Sequence, residues 1–152
     1  MPKFNFRLQG YLNLKFKMED QRKLEYGHAI SELERERAKL SALEFQRAEA
    51  LSGLKENISK GIKPQMAGFY NSFLSWLKES INIQEAAVRQ AEAEAERRRS
   101  ALAEAMKERK MLETLKERHY VDYVREQNMA EQKAADEIVS FRHGSSEKRY
   151  GG

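Results

Sequence analysis

The sequence contains no cysteine, a single tryptophan, and prolines only at positions 2 and 64. Without cysteine there is no disulfide scaffold and no thiolate to serve as metal ligand or nucleophile. Residues 69–143 contain neither glycine nor proline, so nothing in that stretch punctuates the backbone. Long apolar runs are missing too, and none approaches the ~18 residues of a membrane span. Lys3 and Arg7 are not followed by an apolar signal segment, which points to a cytoplasmic protein. Aspartate is scarce, with three Asp against 21 Glu. Glu is the better helix former, because Asp competes for its own backbone. These absences exclude a β-sandwich and an ordinary compact enzyme domain.

What is present is helix-forming. Ala, Glu, Lys, Leu and Arg supply 80 of the 152 residues, the bias of long helices and coiled coils. Charged residues make up 34% of the chain, against roughly 25% in an average domain. The net charge is only +4, and its excess lies at the ends: residues 1–24 hold six Lys or Arg against Glu19 and Asp20. A nucleic-acid binder concentrates far more positive charge on one face, so none is expected as a partner.

Residues 3–60 read as a first helix. Its stripe runs through Leu8, Tyr11, Tyr26, Ile30, Leu33, Leu40, Leu43, Leu51, Leu54 and Ile58, interrupted by Lys15, Met18, Arg22, Arg37 and Arg47. Such a stripe is a coiled-coil seam of modest hydrophobicity. The break is a turn at 61–65, where Gly61 suits the left-handed position ending a helix and Pro64 the first turn of the next. A second helix is expected over 66–141, with Val88, Ala91, Ala95, Leu102, Ala105 and Leu112 on one stripe. It should stop near Gly144, leaving 144–152 as a disordered tail.

At 1.5 Å per residue the helices would be ~80 Å and ~115 Å long. Neither is stable alone with so sparse a stripe. A short connection makes an antiparallel two-helix hairpin the economical architecture: all-α, one coiled-coil domain over 1–152, monomeric. A parallel homodimer through each helix is the competing arrangement.

Chemistry is thin. No phosphate loop, zinc motif or Cys/His cluster is present, so no catalytic residue, metal or cofactor is assigned. His119 and Asp122 share a helix face but lack a third ligand. The run Glu96–Ser100, with Arg97, Arg98 and Arg99, reads as a solvated face with Arg98 in the seam. The anomaly is the aromatic segment Phe69, Tyr70, Phe73, Leu74, Trp76 and Leu77. A two-helix hairpin buries one seam, so part of this set either caps the turn or faces outward as a docking surface.

Both ends of the chain carry a resemblance. Phe4-x-Phe6-x-Leu8-x-x-x-Leu12 followed by Glu19-Asp20, and Leu112-Glu-Thr-Leu-Lys-Glu-Arg118 followed by Glu131-Gln-Lys133 and Asp136-Glu137, resemble the FliJ family of flagellar type III export proteins. The likeness spans nearly the whole chain. It implies an antiparallel coiled coil similar to the central stalk subunit of rotary ATPases. It also implies binding within the hexameric export ATPase ring, binding to the linker of the export-gate membrane protein, and escort of export chaperones. The protein would then be cytoplasmic, held peripherally at the inner membrane of the flagellar base. The terminus-bearing end would enter the ring, with candidate contacts at Arg7, Leu8, Lys15, Lys17, Arg22, Lys133, Asp136 and Glu137. Carried over on the aromatic spacing, the gate-binding positions fall on Phe73, Leu77, Ser80 and Gln84. Ser80 and Gln84 depart from the small apolar residue and the histidine of that family, and Trp76 stands by as an alternative anchor. A generic coiled-coil adaptor or substrate chaperone without an ATPase partner is the other reading.

Overall fold

A helix keeps one stripe against a single partner when seam residues recur at alternating steps of three and four. In the computed structural model, which describes residues 3–150 and the side chains of 3–145, that rule organises the whole chain. Two helices, α1 (Gln9–Ser59) and α2 (Pro64–Tyr150), form an antiparallel hairpin, with no strand among the described residues. On α1 the inward positions run 12, 15, 19, 22, 26, 29, 33, 36, 40 and 43, then 50, 54 and 57; on α2 they run 67, 70, 74, 77, 81, 84, 88, 91, 95, 98, 102 and 105. Cross-helix hydrogen bonds fix the antiparallel sense. Their sequence separation rises from 13 for Asn57–Tyr70 to 48 for Glu36–Gln84 and 73 for Glu25–Arg98.

The seam of α1 differs from the stripe expected of its large apolar residues. Leu12 is buried in place of Tyr11 and Ala50 in place of Leu51, and Ala29 is buried beside a half-buried Ile30. Leu51 and Ile58 are 46% and 59% exposed. Of the expected stripe, Tyr26, Leu33, Leu40, Leu43 and Leu54 do lie on the three–four register, and the register, filled elsewhere by small and charged residues, decides what faces inward. On α2 the expected stripe of Val88, Ala91, Ala95, Leu102, Ala105 and Leu112 does lie inward.

The ends also differ from expectation. Residues 3–8 are not helical, because Phe4 and Phe6 pack across α2 instead: Phe4 lies 5.3 Å from the Tyr120 ring and 5.5 Å from Tyr123, and Phe6 meets His119 edge-on. At the other end α2 does not stop near Gly144 but continues to Tyr150. Gly144 has no left-handed backbone and no proline follows it, so nothing there ends the helix. Of the expected tail, 151 and 152 lie outside the described residues.

The turn is short, 60–63. Gly61 takes φ of 84°, a conformation that leaves little room for a side chain, and Pro64 opens α2. The amides of Lys60 and Gly61 donate to the carbonyls of Asn57 and Ile58, closing the last turn of α1.

Against the expected single domain, packing falls into two compact units: Met18–Ala105, and Met1–Lys17 with Met106–Gly152. The first has its core at Ala29, Leu33, Val88 and Ala95, with Ile30, Leu40 and Ala91 packed against them. Nearer the turn, Leu77 is fully buried and Ile81 nearly so. In the second unit Phe6 and Leu12 are buried, and Arg109 lies over the Phe16 ring at 5.7 Å.

Neighbouring residues on α2 should therefore behave oppositely. Leu77→Ala opens a cavity and is expected to lower unfolding free energy by about 2–4 kcal/mol. Trp76→Ala, at a residue 54% exposed, should stay within about 1 kcal/mol. Urea unfolding followed by circular dichroism measures both, and equal losses would contradict the assignment.

Candidate docking surfaces

The seam is interrupted by polar layers, each satisfied across the hairpin. Beside the turn, the Asn57 side-chain amide donates to the Tyr70 hydroxyl at 2.9 Å. That hydroxyl lies 3.1 Å from where a Cβ at position 53 would stand, so Gly53 leaves room for the ring. Further along, Gln84 Nε2 donates to the Glu36 backbone carbonyl at 2.9 Å and to the Glu36 carboxylate. Arg98 then bridges Glu25 at 3.2 Å and Glu94 at 2.8 Å, while Arg22 holds the same Glu25 at 3.0 Å. In the terminus-bearing unit the Lys15 ammonium donates to Glu108 at 2.7 Å and lies 5.0 Å from the Tyr11 ring centre.

These contacts set the charge states. The hydrogen bond from Gln84 holds the Glu36 carboxyl below its ordinary range, and Lys39 adds to the effect. Arg22 does the same for Glu25, with help from Arg98. Glu94 is lowered chiefly by Arg98 and Glu96 by Arg99. The bond to Glu108 raises Lys15. The arginine run is thus spent on carboxylates: Arg97 pairs with Glu94, Arg98 with Glu94 and Glu25, and Arg99 with Glu96 at 2.6 Å. Among the described residues no three His, Cys, Asp or Glu side chains are grouped as metal ligands.

Beside the turn, α2 presents a second face. Met66 is 48% exposed, Phe69 76%, Phe73 43%, Trp76 54% and Ile83 65%. The Phe73 and Trp76 rings stack at 6.0 Å and 18°. In the other unit, residues 128–145 are exposed throughout, with Met129, Ile138, Val139 and Phe141 among them. No described helix is long and apolar enough to cross a membrane.

The family model for the flagellar FliJ protein matches residues 4–148. The chain belongs to the FliJ family. A solved structure described as a putative YscO homologue, CT670, from Chlamydia trachomatis shares the fold with this FliJ-family chain: TM-score 0.71 at 22% identity, covering 96% of this chain and 99% of that one. No curated protein matches the sequence significantly. Family membership makes the chain a component of the type III export apparatus.

The candidate gate-binding residues separate into two groups. Phe73 and Trp76 are exposed and Ser80 half-buried on one face, whereas Leu77 is fully buried and Gln84 is bonded to Glu36, both in the seam. Of the candidate ring contacts, Arg7, Leu8, Lys17, Lys133, Asp136 and Glu137 are exposed. Lys15 is committed to Glu108 and Arg22 to Glu25. The carried-over gate-binding set omits Met66, Phe69 and Ile83, of which Phe69 is expected only as part of the aromatic segment. Their shared spacing with Phe73 and Trp76 is visible in the sequence, but which apolar stripe faces inward is not.

The shifted carboxylates give a pH dependence. A glutamate whose folded pKa is depressed stabilises the fold above its unfolded value and loses that contribution as pH falls through the folded one. The thermal midpoint should therefore be stable near pH 6 and drop on acidification below about 4.5, the ordinary glutamate value. For the raised Lys15, the contribution is lost only above about 10.5. Thermal melts at pH 6 and pH 3 followed by circular dichroism check this; a midpoint no lower at pH 3 would contradict it.

Proposed function

We propose that this chain is a non-enzymatic, stalk-like coupling subunit of the flagellar export apparatus. The terminus-bearing unit binds the hexameric export ATPase and promotes its assembly and hydrolysis. The turn-proximal aromatic face binds the linker of the export-gate membrane protein, and the exposed helix surfaces serve the escort of export chaperones. The chain acts without a cofactor, as a monomer, in the cytoplasm against the inner membrane at the flagellar base. The match to the FliJ family over residues 4–148 carries this reading. Two features support it: a contiguous aromatic patch left in water beside the turn, and a segment at 128–145 exposed throughout, with charges of both signs.

The chemistry of the two surfaces suits different partners. Stacked Phe73 and Trp76 offer rigid apolar area at low entropic cost, the kind of anchor that dominates binding energy. At the other surface Arg7, Lys17 and Lys133 are solvated charges, and Asp136 and Glu137 adjoin Lys133 on α2. Pairs made by such groups are worth up to about 1 kcal/mol each and are screened by salt. Contacts of that strength can be exchanged repeatedly within a ring that changes shape. Leu77 and Gln84 support the gate face from beneath, one by packing and the other by its bond to Glu36.

Purified chain added to the export ATPase should raise hydrolysis at substoichiometric ratio and shift the enzyme toward hexamers in sedimentation. Phe73→Ala with Trp76→Ala should leave that stimulation intact while weakening binding to the cytosolic part of the gate protein at least tenfold. Absence of both stimulation and co-sedimentation would overturn the ring assignment. Unchanged gate binding by the double variant would overturn the assignment of the face.

A further inference from the structure

The exposed apolar residues beside the turn are not a loose cluster. Met66, Phe69, Phe73, Trp76, Ser80, Ile83 and Ala87 follow steps of three and four for three heptads, each one residue before a seam position of the same helix. This segment of α2 therefore carries two coiled-coil stripes side by side. The first is filled by α1, and the second is the exposed one. A stripe that keeps this alternation over three heptads has the spacing of a coiled-coil seam, the arrangement a further helix would pack against.

The groove beside it has its other wall on α1. In an antiparallel pair, positions one residue before the seam lie on the same side of both helices. A cavity of about 170 Å³ farther along the same unit shows this: above the seam residues Ala29, Ala91 and Arg98, its walls are Glu25, His28 and Glu32 from α1 and Glu94 from α2. Next to the aromatic stripe, the corresponding positions of α1 are Ala42, Gln46, Glu49, Gly53 and Glu56. Two are acidic, two are small and Gln46 is a neutral amide, and all but Gly53 are exposed. Glu56 reaches Lys60, itself exposed, at 3.4 Å. Along the outer edge of the stripe the charged residue is Glu79, also exposed. Apart from Ser80 the stripe is apolar along its middle; one edge carries Glu49 and the Lys60-paired Glu56, and the other carries Glu79.

We infer that this face takes a third helix: an amphipathic helix of about three heptads, apolar at its a and d positions and lined with Lys or Arg at the edges. It would lie along Phe69, Phe73, Trp76 and Ile83 and set its cations against Glu49, Glu56 and Glu79. Charge argues against a second copy of this chain as the occupant, because pairing two such stripes would bring six of these glutamates along one seam. The inference rests on the reading of this face as the gate-binding surface and specifies the form of the bound segment.

Trp76 is the sole tryptophan and reports the site directly. The test uses the full chain and two 21-residue probe peptides with Leu at a and d, one carrying Lys and the other Glu at the flanking positions. The Lys peptide should shift Trp76 emission to the blue saturably and bind at least tenfold more tightly than the Glu peptide. Glu49→Lys with Glu56→Lys should reverse that preference, with the far-ultraviolet spectrum of the variant confirming its fold. No Trp76 response to either peptide, or equal affinity for both, would overturn the inference. So would a chain that light scattering shows already paired through this face, with Trp76 emission depending on its own concentration. Titration with the cytosolic part of the gate protein separates the two readings. If that fragment binds and the Lys peptide does not, the helical mode fails and the gate assignment stands. If the Lys peptide binds and the fragment does not, the helical mode stands and the gate assignment fails.

Discussion

Each helix of a two-helix hairpin has one helical neighbour, and apart from the docking of Phe4 and Phe6 the seam between them is where side chains leave water. Everything else in this structure follows from how that single seam is filled. The alternation of three and four is kept through Lys15, Glu19, Arg22 and Glu36 on α1, and through Gln84 and Arg98 on α2. Keeping register this way costs desolvation at every polar residue, offset across the pair by the bonds of Lys15 to Glu108, Arg98 to Glu25 and Gln84 to Glu36. An all-leucine seam would be stickier but tolerant of slippage. A Gln84–Glu36 contact is satisfied in one alignment only.

That constraint also explains what the sequence reveals and what it hides. Helix, hairpin and turn are legible, because composition, the absence of Gly and Pro over 69–143 and the Gly61–Pro64 break are local signals. The inward stripe of α2 is legible through Val88, Ala91, Ala95 and Leu102. On α1 the stripe is legible only in part: Tyr26, Leu33, Leu40, Leu43 and Leu54 lie inward, whereas Tyr11, Leu51 and Ile58 draw attention but stay exposed and Leu12, Ala29 and Ala50 are buried. Phe4 and Phe6 look like the start of a helix until their ring partners, over a hundred residues away, are known. The aromatic segment is recognisable as excess, yet only the buried stripe shows which of its members remain in water.

The two units divide the chemistry accordingly. The turn-bearing unit leaves stacked rings in water and holds its polar groups in fixed pairs. The terminus-bearing unit exposes charges of both signs on 128–145, with scattered apolar residues. A component of the export apparatus that meets more than one partner gains from this arrangement. Aromatic anchoring gives slow dissociation, whereas screened charge pairs exchange readily.

The Asn57–Tyr70 bond has a consequence for how the molecule comes into being. It closes a loop of 13 residues, whereas Lys15–Glu108 closes one of 93, and the entropic difference between those closures is about 1.7 kcal/mol. With Gly53 leaving space for the tyrosine ring, the contacts beside the turn cost the least chain entropy to close and those of the terminus-bearing unit the most. Met66, Phe69, Phe73, Trp76 and Ile83 all lie in the first third of α2, so the aromatic face draws on the least costly closures in the chain.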